Sequence, residues 1–199
     1  MRTKSKTSAI GRVAQDAPIE SWLRRRDFAG SDRAVETAMS RIAADGELLR
    51  IRKGLYWKGC QTRFGTTRPT PLQTALEIAG VGSGPAGVAA AAVLGLTTQV
   101  PSIVEVAVPG RTPAPITGIQ FRSRSYLRRE HRLGPIEVAV LEVLRTESVV
   151  EESDAQVVKV LQKLISRGDL RRDVLTKVIH DESARSVRRA WDELLPALS

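Results

Sequence analysis

Between Asp32 and Asp45 the apolar residues Ala34, Val35, Ala38, Met39, Ile42 and Ala43 come as pairs repeated every four positions, the pattern that most limits how this chain can fold. Such spacing brings them all to one side of an α-helix, which must then be buried. Ser31 or Asp32 is placed to cap its N-terminus and Gly46 to end it. The stretch that follows, Glu47-Leu-Leu-Arg-Ile-Arg-Lys-Gly-Leu-Tyr-Trp-Lys58, has two short aliphatic and aromatic runs around Arg52-Lys53-Gly54, which predicts a hairpin. Two short helices are expected ahead of it. One covers residues 4–14, with Ala9, Ile10, Val13 and Ala14 on one side and Pro18 closing it. The other covers residues 19–28, with Ile19, Trp22 and Leu23 apolar and Arg24-Arg25-Arg26 turned to water or a polyanion. Helix, helix, helix, hairpin is the order of a winged helix-turn-helix, which we assign to residues 1–68.

A polar break with Gly65, Pro69 and Pro71 separates this domain from the rest. Residues 69–134 read as a small mixed α/β unit: helices at 72–79 and 86–94 around a turn at 80–85, then strands at 102–108 and 116–123. Residues 135–199 read as helical, at 136–145, 154–167, 169–179 and 183–195, and are expected to pack with the middle unit as one domain. The fold class is therefore α+β, predominantly α.

Charge divides unevenly along this order. Net charge is +8 over residues 1–68, +3 over 69–134 and −2 over 135–199, which together give the +9 of the chain. A basic first third is what phosphate neutralisation requires, although a merely basic surface would have the same composition. The longest apolar stretch, residues 85–96, is far short of the roughly 20 residues that cross a bilayer, and the basic N-terminus lacks the apolar run that export needs. The expected setting is cytoplasmic, without membrane association. Cys60 is the only cysteine, and His131 and His180 are far apart, so no metal site and no cofactor are expected.

The third helix and its hairpin hold the residues suited to nucleic acid. Opposite the apolar stripe lie Arg33, Thr37, Ser40 and Arg41, spaced to share one helix face. Arginine can bond guanine through O6 and N7, and hydroxyls serve bases or phosphates. Arg52 and Lys53 at the hairpin turn would meet the backbone, with Arg2, Lys4 and Lys6 as secondary phosphate contacts. The same fold also serves as a protein contact module, with these charges simply solvated.

The block of residues 31–58, from Ala34-Val-Glu-Thr-Ala-Met-Ser-Arg-Ile-Ala43 through Arg50-Ile-Arg-Lys-Gly-Leu-Tyr56, resembles the N-terminal domain of AbiEi-type antitoxins. The small-residue helix running into Val93-Leu-Gly-Leu-Thr-Thr-Gln-Val-Pro101 and the strand Ile103-Val-Glu-Val-Ala-Val108 resemble the same family, so that the likeness spans residues 10–125. It implies a bacterial toxin-antitoxin pair in which this chain counters a nucleotidyltransferase-like toxin from the adjacent gene. It also implies repression of its own operon through inverted repeats in the promoter, with possible self-association on DNA. Carried over by motif, DNA contact falls on Arg33, Thr37, Arg41, Arg52 and Lys53.

The family includes proposed toxin kinases, so an atypical protein kinase using ATP-Mg is an alternative, and an ordinary winged-helix transcription factor is another. Catalytic residues are unknown. Gly82-Ser-Gly-Pro-Ala-Gly87 satisfies G-x-G-x-x-G, but no strand precedes it and Pro85 interrupts it, so it reads as an interhelix turn. His131-Arg132 is followed by Leu133 where a kinase loop needs aspartate. Arg128-Arg-Glu-His-Arg132 is expected to be a polar surface segment. Glu137, Glu142, Glu147, Glu151, Glu152 and Asp154 are expected at a surface, either simply solvated or facing a basic partner.

Overall fold

The computed structural model describes residues 9–182 and 184–198. The chain divides into two compact units between Thr70 and Pro71, and the fold is α+β, predominantly α. Arg2, Lys4, Lys6 and the start of the helix expected from residue 4 lie outside the described residues. None of the helices described is long and apolar enough to cross a membrane.

The first unit runs α1 (Ala9–Asp16), β1 (Ser21–Arg24), a 3-10 turn (Arg25–Asp27), α2 (Asp32–Ala44), β2 (Leu49–Arg52) and β3 (Leu55–Lys58). Its sheet is antiparallel in the order β1-β3-β2. Sequence periodicity misreads residues 19–28, which form a strand and one helical turn instead of a helix. Glu20 takes a φ of 61°, which a right-handed helix cannot continue. Trp22 and Leu23 then pair across the sheet with Trp57 and Tyr56, the two indoles meeting edge to face at 4.9 Å. Cross-strand aromatic contact of this kind outweighs a weak local helix preference. Val35 and Met39 of α2 are fully buried against Ala14, Leu23, Phe28, Leu48 and Tyr56, which fills the space beneath the stripe. Beyond β3, the polar break contains a small hairpin of β4 (Gln61–Thr62) and β5 (Gly65–Thr66).

The second unit begins with α3 (Pro71–Ala79), β6 (Gly84–Pro85), α4 (Gly87–Leu94), β7 (Val104–Pro109) and β8 (Ile119–Arg124). β7 lies between β6, antiparallel to it, and β8, parallel to it. The turn-rich residues 110–118 therefore travel back along β7, so that Ile119 pairs with Val104. Then come α5 (Leu127–Glu130), α6 (Pro135–Arg145), α7 (Asp154–Ser166), α8 (Arg172–Asp181) and α9 (Arg185–Leu194). Every residue of α6 from Glu137 to Leu144 is buried, so α6 is the central element. The alanines of α4 allow close approach to it, α9 packs against it, and Val157, Leu161, Leu175, Ile179, Val187 and Trp191 of the later helices share its apolar core.

A helix buried on all sides must neutralise its own charges. Glu137 and Glu142, expected at a surface, are only 2% and 1% exposed. Arg128, expected in a surface segment, is completely buried. The charges account for one another. Arg128 Nη1 donates to Glu142 Oε1 at 2.8 Å and its Nε to Glu182 Oε1 at 2.6 Å. Arg124 grips Glu142 from β8 with two bonds of 2.8 and 2.6 Å, and Arg145 Nη2 reaches Glu182 at 2.9 Å. A second lock joins Arg171 to Glu137 through 2.8 and 2.7 Å bonds, with the Gly134 amide donating to the same carboxylate at 2.8 Å. Burial pushes the Glu142 carboxyl up, but the Arg124 bonds and the Arg128 charge outweigh it and hold the group below the ordinary carboxylate value of 4.5. Burial likewise raises Glu137, and the bonds from Arg171 and Gly134 bring it below 4.5.

Arg128→Ala would leave two buried carboxylates short of a cation and is expected to destabilise the second unit by about 3–5 kcal/mol in urea unfolding. Both lowered carboxyls contribute stability that is present above pH 4.5 and is lost as pH falls toward their folded values. The calorimetric melting temperature of the second unit should therefore fall between pH 5 and pH 3. A flat profile there, or a neutral Arg128→Ala, would show that the cluster carries no such weight.

Candidate nucleic-acid interface

Ser31 begins α2, accepting a hydrogen bond from the Ala34 amide at 3.4 Å. Arg25 fixes the approach to it. Its guanidinium donates to the carbonyls of Phe28 at 3.1 Å and Gly30 at 2.7 Å and pairs with Asp32 at 2.5 Å. The middle arginine of Arg24-Arg25-Arg26 thus serves the local backbone, while Arg26 is exposed.

On the outer face of α2, Arg33, Thr37 and Arg41 are all exposed. With Ser31, Ala34 and Ala38 they line a shallow depression of about 440 Å³. Thr37 Oγ1 donates to the Arg33 carbonyl at 2.7 Å, so that its oxygen remains as an acceptor and its methyl group as an apolar contact. Ser40 is placed differently. It is half-buried, 3.4 Å from the Tyr56 hydroxyl, which donates to Glu36 Oε1 at 3.3 Å. Arg50 Nη2 donates to the same carboxylate oxygen at 3.0 Å. Ser40 therefore belongs to a network that ties α2 to the hairpin.

Arg52 ends β2 and Lys53 begins the turn, both exposed, and Gly54 takes the left-handed φ of 74° that closes the turn onto β3. The Gly54 carbonyl accepts from the Arg25 amide at 3.0 Å, which holds the turn beside the entry to α2. Glu36 and Asp32 are neutralised by Arg50 and Arg25, whereas Arg33, Arg41, Arg52 and Lys53 have no ion-pair partner among the described residues. What results is a cationic helix face and a cationic turn within one unit. Arg25, expected to face water or a polyanion, instead holds the backbone ahead of α2, and the pairing of Arg50 with Glu36 was not anticipated. Arg50 could have been found, since it alternates with Arg52 on β2, whereas Arg25 acts through backbone carbonyls that no sequence pattern reports.

The glycine motif of the second unit has a packing role. Residues 82–86 are buried. A Cβ on Gly82 would lie 2.7 Å from the backbone of Arg128 and Arg129, one on Gly84 2.5 Å from the Val138 side chain, and one on Gly87 2.8 Å from the Glu105 carboxylate. These glycines let the loop press against α5, α6 and β7.

No protein-family model matches the chain, and no curated protein matches it. Among solved structures it is similar to the RV2827C protein from Mycobacterium tuberculosis, with 13% identity over 96% of this chain and 75% of that one and a TM-score of 0.50. At that identity the likeness is one of fold.

Arg25→Ala is expected to cost about 1–3 kcal/mol in the unfolding of the first unit, since it releases two carbonyls and a carboxylate together. Tyr56→Phe should cost about 0.5–1.5 kcal/mol by freeing Ser40 and Glu36. Losses confined to surface values of a few tenths would show that neither network holds α2.

Proposed function

We propose that this chain is a DNA-binding antitoxin of the AbiEi type, which represses its own promoter in the bacterial cytoplasm and counters a nucleotidyltransferase-like toxin encoded beside it. The observation that carries the DNA-binding part is the set of cations without ion-pair partners on α2 and the β2–β3 turn. Helix α2 enters the major groove, where Arg33 and Arg41 read guanines and Thr37 offers an acceptor and a methyl group to neighbouring bases. Arg52 and Lys53 lie along the phosphates and set the register. Inverted repeats require two copies of the chain, one on each half-site. The family resemblance of residues 31–58 and 93–108 supports the antitoxin part, and the second unit is then the portion left for the toxin. DNA binding itself needs neither metal nor cofactor.

The test is a fluorescence titration of the full chain onto its own upstream DNA and onto a scrambled duplex, from about 50 to 200 mM salt. The upstream DNA should bind at least about a hundredfold more tightly. Arg33→Ala and Arg41→Ala should each lose about 1–3 kcal/mol of that preference, whereas Lys53→Ala should weaken both duplexes alike and reduce the salt slope by about one. Equal losses on both duplexes for all three variants would sink the assignment of readers and backbone contacts. Absence of any preference in the unaltered chain would remove the repressor reading itself.

A further inference from the structure

Several acidic residues of the second unit are engaged within it. Glu137, Glu142 and Glu182 are buried and locked to arginines, and Glu151 clamps the loop after α4 through Thr97, Thr98 and Gln99. Glu152, Asp154 and Glu193 do neither. All three are exposed and stand around a cleft of about 520 Å³ whose floor is apolar.

Val143 and Leu144 of α6 form the floor together with Val157 of α7, while Val158 and Leu194 form half-buried walls. Every charged side chain that lines the cleft is acidic. Glu152 and Asp154 have no ion-pair partner among the described residues. Glu193 has only Arg189, one helical turn away at 3.8 Å with both groups largely in water, an arrangement worth little and easily exchanged. Glu152 approaches the cleft from the loop before α7, Asp154 from the first turn of α7 and Glu193 from α9. An apolar trough with carboxylates contributed by a loop and two different helices matches a ligand that is apolar along one stripe and cationic along its flanks. That is the chemistry of a basic amphipathic helix seated in a groove.

We propose that this cleft receives a basic amphipathic helix of a partner protein. The apolar ridge of that helix rests against Leu144, Val157 and Leu194, and its lysines or arginines meet Glu152, Asp154 and Glu193. The assignment rests on the cleft and its charges, and it holds whether the partner is a toxin or another protein.

The probe is a fluorescein-labelled leucine-lysine peptide of about five helical turns, compared with a shuffled peptide of the same composition and titrated onto the full chain. The amphipathic peptide should bind at least about tenfold more tightly than the shuffled one. Ala155→Trp, which fills the cleft from an exposed position, should abolish that preference. The triple variant Glu152→Gln, Asp154→Asn and Glu193→Gln, altered only at exposed side chains, should weaken binding about tenfold at low salt and flatten its salt dependence. Circular dichroism and melting of both variants establish that they are folded, and DNA titration of the same preparations reports on the first unit independently. A preference that survives Ala155→Trp and the triple variant, or no preference in the unaltered chain, overturns the proposal. A dimer in sedimentation that Ala155→Trp dissociates would also overturn it, by making the occupant a second copy of this chain.

Discussion

The second unit depends on a guanidinium without access to water. Because α6 is enclosed on all sides, Glu142 cannot be solvated, and Arg128 is the buried cation within reach of both Glu142 and Glu182. The bonds it makes are directional, so they specify more than charge balance. They join α5 to the middle of α6 and to the end of α8, while Arg124 brings in the end of β8. Buried ion pairs of this kind seldom add net stability over an apolar core of equal volume. Their physical consequence here is that an arrangement lacking any one of these partners would leave a charge in a low-dielectric interior, which few alternative packings can tolerate.

The first unit solves a smaller version of the same problem at its surface. Glu36 is held by Arg50 and Tyr56, and Asp32 by Arg25. Internal pairing engages Glu36 and Asp32 and leaves the outward arginines of α2 without ion-pair partners among the described residues. Net charge of the segment alone could not have distinguished this from a surface of mutually paired ions. The distribution of partners, more than the count of charges, makes the exposed face of α2 and the neighbouring turn cationic.

How much of this was legible follows from what each signal depends on. The stripe of α2, the hairpin at Gly54 and the helices after residue 135 were all readable, because each is a local periodicity set by burial of one face. β1 was not, since Trp22 and Leu23 become a strand only through Trp57 and Tyr56, more than thirty positions away. The same holds for Arg128. Its sequence neighbours are polar, and only the return of α8 brings Glu182 to it. Glu142 did carry a readable signal: it lies within Val138-Ala-Val-Leu-Glu-Val-Leu144, an apolar run with no polar face to receive it. Of the candidate site residues, the shared exposed face of Arg33, Thr37 and Arg41 followed from helical spacing, whereas the scaffold role of Ser40 required knowing where Tyr56 lies.

The acidic character of the last third also changes meaning once its residues are sorted. Four of its carboxylates, Glu137, Glu142, Glu151 and Glu182, are engaged within the unit, and engaging them takes Arg145 and Arg171 out of the same segment. The net charge of −2 therefore says little about what this segment presents to a partner. What it does present around its apolar cleft is Glu152, Asp154 and Glu193, a local field opposite in sign to that of α2. On the two proposals made above, a polyanion is favoured at Arg33 and Arg41 and disfavoured at this cleft, and a basic helix the reverse. Fields of opposite sign at different residues of one chain would, on those proposals, favour different ligand classes at each.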